Sequence, residues 1–364
     1  ICDGWSMGIF LDELGKLYSA RVKNEPSGLT EANSFIQYAL DQKKFSQSND
    51  YRRIEQFWLD QFKDSVPLLD LPTDFPRPAI RTNKSNRIDT ILDKYLFSDI
   101  KAFSNKQGSS LAITLRTVFE ILLYKLSGQD DIVLGLPSAG QAITDNNHLM
   151  GHCINLLPIR CRLKDEMTFT QYLKERKFAT LDAYDNQQFT FGSLLKNLNI
   201  PRDPSRAPLV SVVFSLDQGL GGMNHFEGLE CKILSNKRDY ENFELFINAT
   251  IEEEDFKIEW TYNTQLFRSE TIKQMMEQFE SLLNTLVKDP QIKLKDVLVI
   301  DQSDLLNKIA KWNDTKVSYP EDKPIYTFVS ENAGKHPDKI AVKYRENTTS
   351  YRELNEKANQ LAHY

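Results

Sequence analysis

The stretch GHCINLLPIR, residues 151–160, places a glycine turn in front of an apolar segment with the length of a buried strand. Asn155 and Arg160 are the polar side chains of that segment. A buried amide or guanidinium group without a partner costs several kcal/mol, so a partner is expected for each one that is buried. The alternative for Arg160 is an exposed position on the strand. The stretch therefore predicts a strand whose polar side chains are tied to other segments.

Helical and strand-like patterns alternate on both sides of this stretch. Helices are predicted over residues 6–20, 51–62, 97–107, 112–127, 168–184 and 269–287, and strands over residues 87–96, 131–137, 156–163, 208–216, 243–252 and 255–262. Three prolines make residues 68–78 irregular. This order indicates an α/β fold, an α+β sandwich in which helices pack on a sheet.

The composition narrows the class of protein. A formal net charge of −6 without a basic stripe argues against nucleic-acid binding. No run reaches the roughly 18 apolar residues of a membrane-spanning helix. The cysteines lack CxxC spacing, which favours reduced thiols in a cytoplasmic protein over a disulfide framework: Cys2, Cys153, Cys161 and Cys231.

Residue types alone suggest little catalytic chemistry. An aspartate before a helix, such as Asp3, is most often an N-cap; the functional interpretation is that it orients a catalytic loop by pairing with a distant arginine. His148 and His152 are four residues apart, but Gly151 argues against the helix that a two-histidine metal site would need, so no metal is predicted. No GxSxG elbow, P-loop or dinucleotide fingerprint is present.

The order of several motifs is more specific. ICDGWS, residues 1–6, resembles the end of the HHxxxDG signature of nonribosomal peptide synthetase condensation domains, and residues 151–160 resemble that family's Gly…Val/Ile-Asn…Arg motif. NQQFTF, residues 186–191, is similar to its NQDxPFE-like motif, and RDPSRAPL, residues 202–209, to its RDxSRNPL motif. The resemblance extends over about residues 1–290.

The end of the chain resembles a different domain of the same synthetases. WNDT at 312–315, HPDKIAV at 336–342 and TSYREL at 349–354 are similar to the linker and opening motifs of an adenylation domain. Helices are predicted over residues 325–333 and 351–363, and condensation followed by adenylation is the usual order.

The resemblance implies two chloramphenicol-acetyltransferase-like lobes with the active site between them, the first lobe being incomplete. The implied divisions are the remainder of the N-terminal condensation lobe at 1–86, the C-terminal lobe at 87–290, an interdomain linker at 291–324 and a truncated adenylation-domain start at 325–364.

The resemblance also implies roles for individual residues. Asp3 and Gly4 would end the HHxxxDG motif, with two histidines and one further residue expected before Ile1, so that the chain alone would be inactive. Asp3 would form a structural ion pair with Arg160, Gly4 would give the tight backbone beside the active histidine, and Asn155 would lie in the catalytic group. Residues expected near the substrate tunnel are Ser6 (also the expected N-cap of the first helix), His152, Gln187, Arg202, Asp203, Ser205 and Arg206.

The implied reaction is amide formation by an acyltransferase-type domain. The amine of an acceptor aminoacyl thioester would attack a donor acyl thioester, both carried on phosphopantetheine arms of upstream and downstream carrier proteins. No cofactor would bind directly, and ATP and Mg would serve only the truncated adenylation domain, whose remainder would lie in the same polypeptide. Neither nucleic acid nor membrane is expected as a partner. Two alternatives stay open, a heterocyclisation domain and an inactive module that docks carrier proteins; an epimerisation domain is disfavoured by the adenylation start.

Overall fold

The strand predicted within GHCINLLPIR lies at one edge of a sheet in the computed structural model, as β3 (Ile154–Arg162). The structure describes residues 2–144, 146–217, 226–231, 235–252, 255–299, 302–320 and 322–364. The chain forms two compact units, Ile1–Asp301 and Gln302–Tyr364. Each unit is described by itself.

The sheet of the first unit is mixed. Besides β3 it contains β1 (Ser85–Ile91), β2 (Asp131–Ala139), β4 (Val212–Asp217), β5 (Leu245–Glu252) and β6 (Asp255–Asn263). Their spatial order is β1-β6-β5-β4-β2-β3. Strand β4 is parallel to β2 and β5, and the other neighbouring strands are antiparallel. The mixed α/β content predicted from the sequence is therefore present.

Most helices of the first unit begin after a polar side chain that accepts a backbone hydrogen bond. The helices are α1 (Gly4–Lys23), α2 (Phe35–Phe45), α3 (Asn49–Gln61), α4 (Lys94–Lys106), α5 (Leu111–Ser127), α6 (Gly140–Ile143), α7 (Phe169–Asp185), α8 (Phe191–Asn197) and α9 (Ser269–Lys288). Helices α4, α5, α7 and α9 pack side by side against the strands.

Aromatic side chains fill the space between these helices and the sheet. Phe119 of α5 has its ring centroid 5.4 Å from Phe214 of β4, 5.8 Å from Trp260 of β6 and 6.0 Å from Phe279 of α9. Burial of one large apolar side chain contributes about 1.5–3 kcal/mol. Helix α3 joins the same hydrophobic cluster through Trp58. The expected lobe boundary between residues 86 and 87 stays a prediction.

Some predicted boundaries are wrong, for local reasons. Helix α1 begins at Gly4 because Asp3 is its N-cap, so Ser6 lies in the first turn and is not the cap. Helix α2 was not predicted, because Phe35 and Ile36 at its start are exposed and give no regular apolar stripe. The expected linker, 291–324, contains a 3₁₀ turn (Leu294–Asp296) and helix α10 (Gln302–Trp312), and its place between two domains stays a prediction.

The second unit also contains a hairpin, β7 (Ile340–Tyr344) and β8 (Asn347–Ser350), and the helices α11 (Ile325–Lys335) and α12 (Tyr351–His363). Ser350 and Glu353 form a capping box at the start of α12, in which each side chain accepts the other's backbone N–H. In both units, no helix of the described ranges is long and apolar enough to cross a bilayer.

Candidate functional site

Asp3 is the central residue of the site, and its side chain is only 7% exposed. Its Oδ1 accepts a hydrogen bond from the Ser6 backbone N–H at 2.9 Å and lies 2.7 Å from the Ser6 hydroxyl. The first bond is the N-cap of α1, which satisfies an amide that has no partner within the helix. The cap predicted from residue type is confirmed.

The same carboxylate also joins two segments that are distant in sequence. The Gln141 amide of α6 donates from Nε2 to Asp3 Oδ2 at 2.9 Å and to Oδ1 at 3.2 Å. The Cys153 backbone N–H donates to Oδ2 at 2.9 Å. Asp3 therefore fixes the start of α1 to α6 and to the residues that precede β3.

Ser6 and two glycines complete this contact. The Ser6 hydroxyl accepts from the Gly151 N–H at 2.9 Å and lies 2.9 Å from the Gly151 carbonyl oxygen. A Cβ atom at Gly151 would come within 2.3 Å of the Phe35 ring, and one at Gly140 within 2.6 Å of the Cys153 carbonyl oxygen. Close packing against backbone therefore requires glycine at position 140, whereas at position 151 the exposed Phe35 ring would have to move.

The expected ion pair between Asp3 and Arg160 is wrong. All five N–H groups of Arg160 are used elsewhere: by both oxygens of Asp131, by the Gln61 carbonyl, and by the carbonyl and hydroxyl of Ser65. The physical reason is distance, because Ile154 and Arg160 are roughly 20 Å apart along a strand that rises about 3.3 Å per residue. Asp3 binds at one end of β3 and Arg160 acts at the other.

The Asn155 side chain binds backbone groups. Its Nδ2 donates to the carbonyls of Gln187 at 2.8 Å and Phe189 at 2.9 Å. Its Oδ1 accepts from the N–H groups of Leu156 at 2.9 Å and Phe191 at 3.0 Å. Two donors and two acceptor positions are the full capacity of an amide. Asn155 therefore holds the NQQFTF segment against β3 and has no hydrogen-bonding capacity left for a ligand.

Several expected tunnel residues lie near these contacts. The Gln187 side chain accepts a hydrogen bond from the Ser138 hydroxyl at the end of β2. His152, between Gly151 and Cys153, is exposed. A Cβ atom at Gly4 would meet no described atom within 4 Å, and the expected role of that glycine beside a histidine upstream of Ile1 stays a prediction. A tunnel-lining role for Gln187 and His152 stays a prediction.

The RDPSRAPL segment forms a separate group of contacts. Asp203 Oδ1 accepts two hydrogen bonds from Ser205, one from its backbone N–H at 2.8 Å and one from its hydroxyl at 2.6 Å. Arg206 donates to Asp70 at 2.6 Å and to the Leu69 carbonyl at 3.3 Å. Arg202 is exposed. Among the described residues, no hydrogen bond joins this group to the Asp3 contacts, and its expected place in the tunnel stays a prediction.

The surroundings of Asp3 set its ionisation. Burial by itself would raise the pKa of this carboxyl, but hydrogen bonds from the Cys153 N–H, Gln141 and Ser6 outweigh burial and lower the pKa below its ordinary value. Burial, with the Cys153 thiol nearby, raises the pKa of Tyr38 to about 12. Burial and the Asp3 charge raise the pKa of Cys153. Asp3 is therefore charged near neutral pH, and these two neighbours are uncharged.

Gln141 was missed because it lies in a four-residue helix without periodic pattern. A usable signal was the pairing of β2 with β3, in which Ala139 lies opposite Ile154. In an antiparallel pair, the residue after the end of one strand must lie beside the residue before the next. This register places Gly140 opposite Cys153, and Gln141 follows directly in the chain.

Comparison with known proteins identifies relatives over the whole length. The family profile named Condensation domain matches residues 1–305. The chain is 32% identical over 366 residues to gramicidin S synthase 2 of Brevibacillus brevis and 31% identical over 362 residues to surfactin synthase subunit 1 of Bacillus subtilis. All of the chain is covered in both alignments, but only 8% and 10% of those proteins.

Solved structures share the fold. A four-domain nonribosomal peptide synthetase bound to AMP and glycine aligns with 100% of this chain and 28% of its own, with a TM-score of 0.77 and 20% identity. The condensation domain of the monacolin K polyketide synthase MokA aligns with 80% of this chain and 68% of its own, with a TM-score of 0.70 and 20% identity.

Proposed function

This chain belongs to the condensation-domain family of nonribosomal peptide synthetases, and we propose that in its whole protein it joins a donor acyl group to an acceptor amine as an amide. The observation that carries this proposal is the Asp3 contact. It brings the residues that resemble the HHxxxDG signature against the first residues of GHCINLLPIR, at 2.9 Å between Asp3 Oδ2 and the Cys153 nitrogen.

In the proposed reaction, the acceptor amine attacks the carbonyl carbon of the donor thioester. A C–N bond forms and the C–S bond breaks, the amine loses a proton, and the phosphopantetheine thiol of the donor carrier protein leaves with one. Asp3 would not be the base, because five hydrogen-bond contacts already occupy its carboxylate. It would hold the loop in which the resemblance places the histidine that assists proton transfer.

The partners of the whole protein are part of the proposal. Upstream and downstream carrier proteins would deliver the two thioesters on phosphopantetheine arms. Residues 325–364 would begin an adenylation domain, which would use ATP and Mg. This assignment is supported by the TSYREL segment at the turn from β8 into α12. A cytoplasmic location fits both carriers and ATP.

The experiment uses the intact synthetase with both neighbouring carrier proteins loaded. A panel of acyl and aminoacyl thioesters is supplied, and products are identified by mass spectrometry. The expected product is the amide, and Asp3→Ala should lower its rate at least 10²-fold, as expected when a reacting group is misplaced. A product lighter by one water would indicate heterocyclisation. Carrier binding without any product would indicate a docking module; either result contradicts the proposal.

A further inference from the structure

The carboxylate of Asp3 is held by neutral groups throughout. Its partners are the N–H groups of Ser6 and Cys153, the Ser6 hydroxyl and the Gln141 amide. Within the described ranges Asp3 makes no ion pair, although arginines pair with most other buried carboxylates of the first unit, for example Arg77 with Glu244 at 2.6 Å. A buried carboxylate that is hydrogen-bonded but not paired keeps its charge.

We propose that Gln141 is a positioning residue of the site: its amide fixes the start of α1 while leaving the negative charge of Asp3 uncompensated. This inference rests on the proposed function, because it assigns the charge a role in amide formation. The Asp3 carboxylate is 7% exposed, so water screens it poorly. The positive end of α1 opposes it with only about half a unit charge.

The negative charge of Asp3 stabilises a positively charged group that lies close to the start of α1. An acceptor amine arrives protonated and must lose a proton before attack, and a nearby anion raises the pKa of an ammonium or an imidazolium. Asp3 therefore sets the acid limb of the pH–rate profile. An arginine at position 141 could make similar hydrogen bonds but would cancel this charge.

The first test measures the contact without using activity. In Gln141→Glu the new carboxyl must share a proton with Asp3, which raises their joint pKa. A raised pKa in the folded state means stability that is present at low pH and lost as pH rises through it. The melting temperature of this variant relative to wild type should therefore fall between pH 5 and pH 8.

Other ionisable groups near Asp3 need a control. Tyr38 of α2 and Cys153 face it, and burial raises the pKa of both. His152 is the exposed neighbour, so the titration is repeated in a His152→Asn background. Gln141→Met, which has no donor and no charge, should be destabilised equally from pH 5 to pH 8, where Asp3 stays charged. A difference between Gln141→Glu and wild type that does not change with pH would overturn the contact.

The second test measures the charge. Gln141→Arg in the intact synthetase should fold, and its acid limb for amide formation should move to lower pH by roughly one unit, because a cation lowers the pKa of a neighbouring acid. A pH profile that superimposes on wild type would overturn the electrostatic role and leave Gln141 purely structural. Absence of amide product from wild type would instead refute the proposed function, and the stability titration would still decide the contact.

Discussion

Two buried carboxylates of the first unit are held in opposite ways. Glu120 in α5 is 0% exposed and contacts Arg116 Nε at 3.1 Å, Arg176 Nε at 2.9 Å and the Tyr172 hydroxyl at 2.8 Å. Asp3 receives neutral donors alone. The cluster around Glu120 therefore joins α5 to α7 through charge, whereas Asp3 joins α1 to α6 and to the residues before β3 without an ion pair among the described residues.

Because Glu120 is ion-paired and Asp3 is bound by neutral groups, we expect Glu120 to affect mainly stability and Asp3 mainly activity. Removal of one member of a buried ion pair leaves an uncompensated charge, which is among the most destabilising single changes. Removal of Asp3 leaves only neutral donors without an acceptor, and neutral groups cost less to leave unpaired than charged ones. The core carboxylate should thus dominate unfolding measurements, and Asp3 should dominate activity.

The largest expected effect is at the core. Glu120→Gln leaves two buried guanidinium groups without a counter-ion, and we expect a loss of about 3–5 kcal/mol in the free energy of unfolding. Urea denaturation of the full chain measures it. The matched control is Glu175→Gln on the exposed side of α7, which should change stability by less than about 0.5 kcal/mol. Equal effects would contradict the comparison.

The next effect is at Arg160, whose side chain is 4% exposed. Arg160→Ala leaves the Gln61 and Ser65 carbonyls without their donor, and we expect a loss of about 2–4 kcal/mol. Arg162 lies 3.8 Å from the same Asp131 but is 57% exposed, so Arg162→Ala should cost less than about 0.5 kcal/mol. A stable Arg160→Ala protein would refute the structural role.

A smaller, pH-dependent effect is expected at Asp3. Because its pKa is lowered in the folded state, its contribution to stability is present above the unfolded pKa of about 3.9 and is lost as pH falls through the folded value. Asp3→Asn should cost about 1–2 kcal/mol near neutral pH, since one acceptor oxygen is replaced by a donor. The difference from wild type should shrink below pH 4; a constant difference would contradict a charged Asp3.

The smallest effect is expected in the RDPSRAPL turn. Ser205→Ala removes the hydrogen bond from the Ser205 hydroxyl to Asp203, an exposed residue two positions earlier. No measurable change in melting temperature is expected. A large loss of amide formation without loss of stability would show that Ser205 contacts substrate, as the resemblance implies. A large loss of stability would show that the turn supports the fold.

Sequence patterns predicted the elements better than the contacts between them. The spacing of apolar residues in α5 and α9 and the apolar runs in β2 to β6 were sufficient to predict these helices and strands. Burial of one face or of the whole element determines such patterns. The partner of Asp3 was not predictable from residue type. The family resemblance implied Arg160, but its place on β3 is roughly 20 Å from the residues that Asp3 contacts. Gln141 carries no charge and belongs to no periodic segment, so its contact with Asp3 is found only in the structure.

The central claim is that Asp3 is held by Gln141 and not by Arg160, and a pair of double-mutant cycles tests it most directly. Urea unfolding is measured for Asp3→Ala, Gln141→Ala and Arg160→Ala, and for the two double variants that contain Asp3→Ala. We predict a coupling energy of roughly 1–2 kcal/mol between Asp3 and Gln141, and additivity within about 0.5 kcal/mol between Asp3 and Arg160. Coupling of Asp3 to Arg160, with additivity to Gln141, would contradict the account.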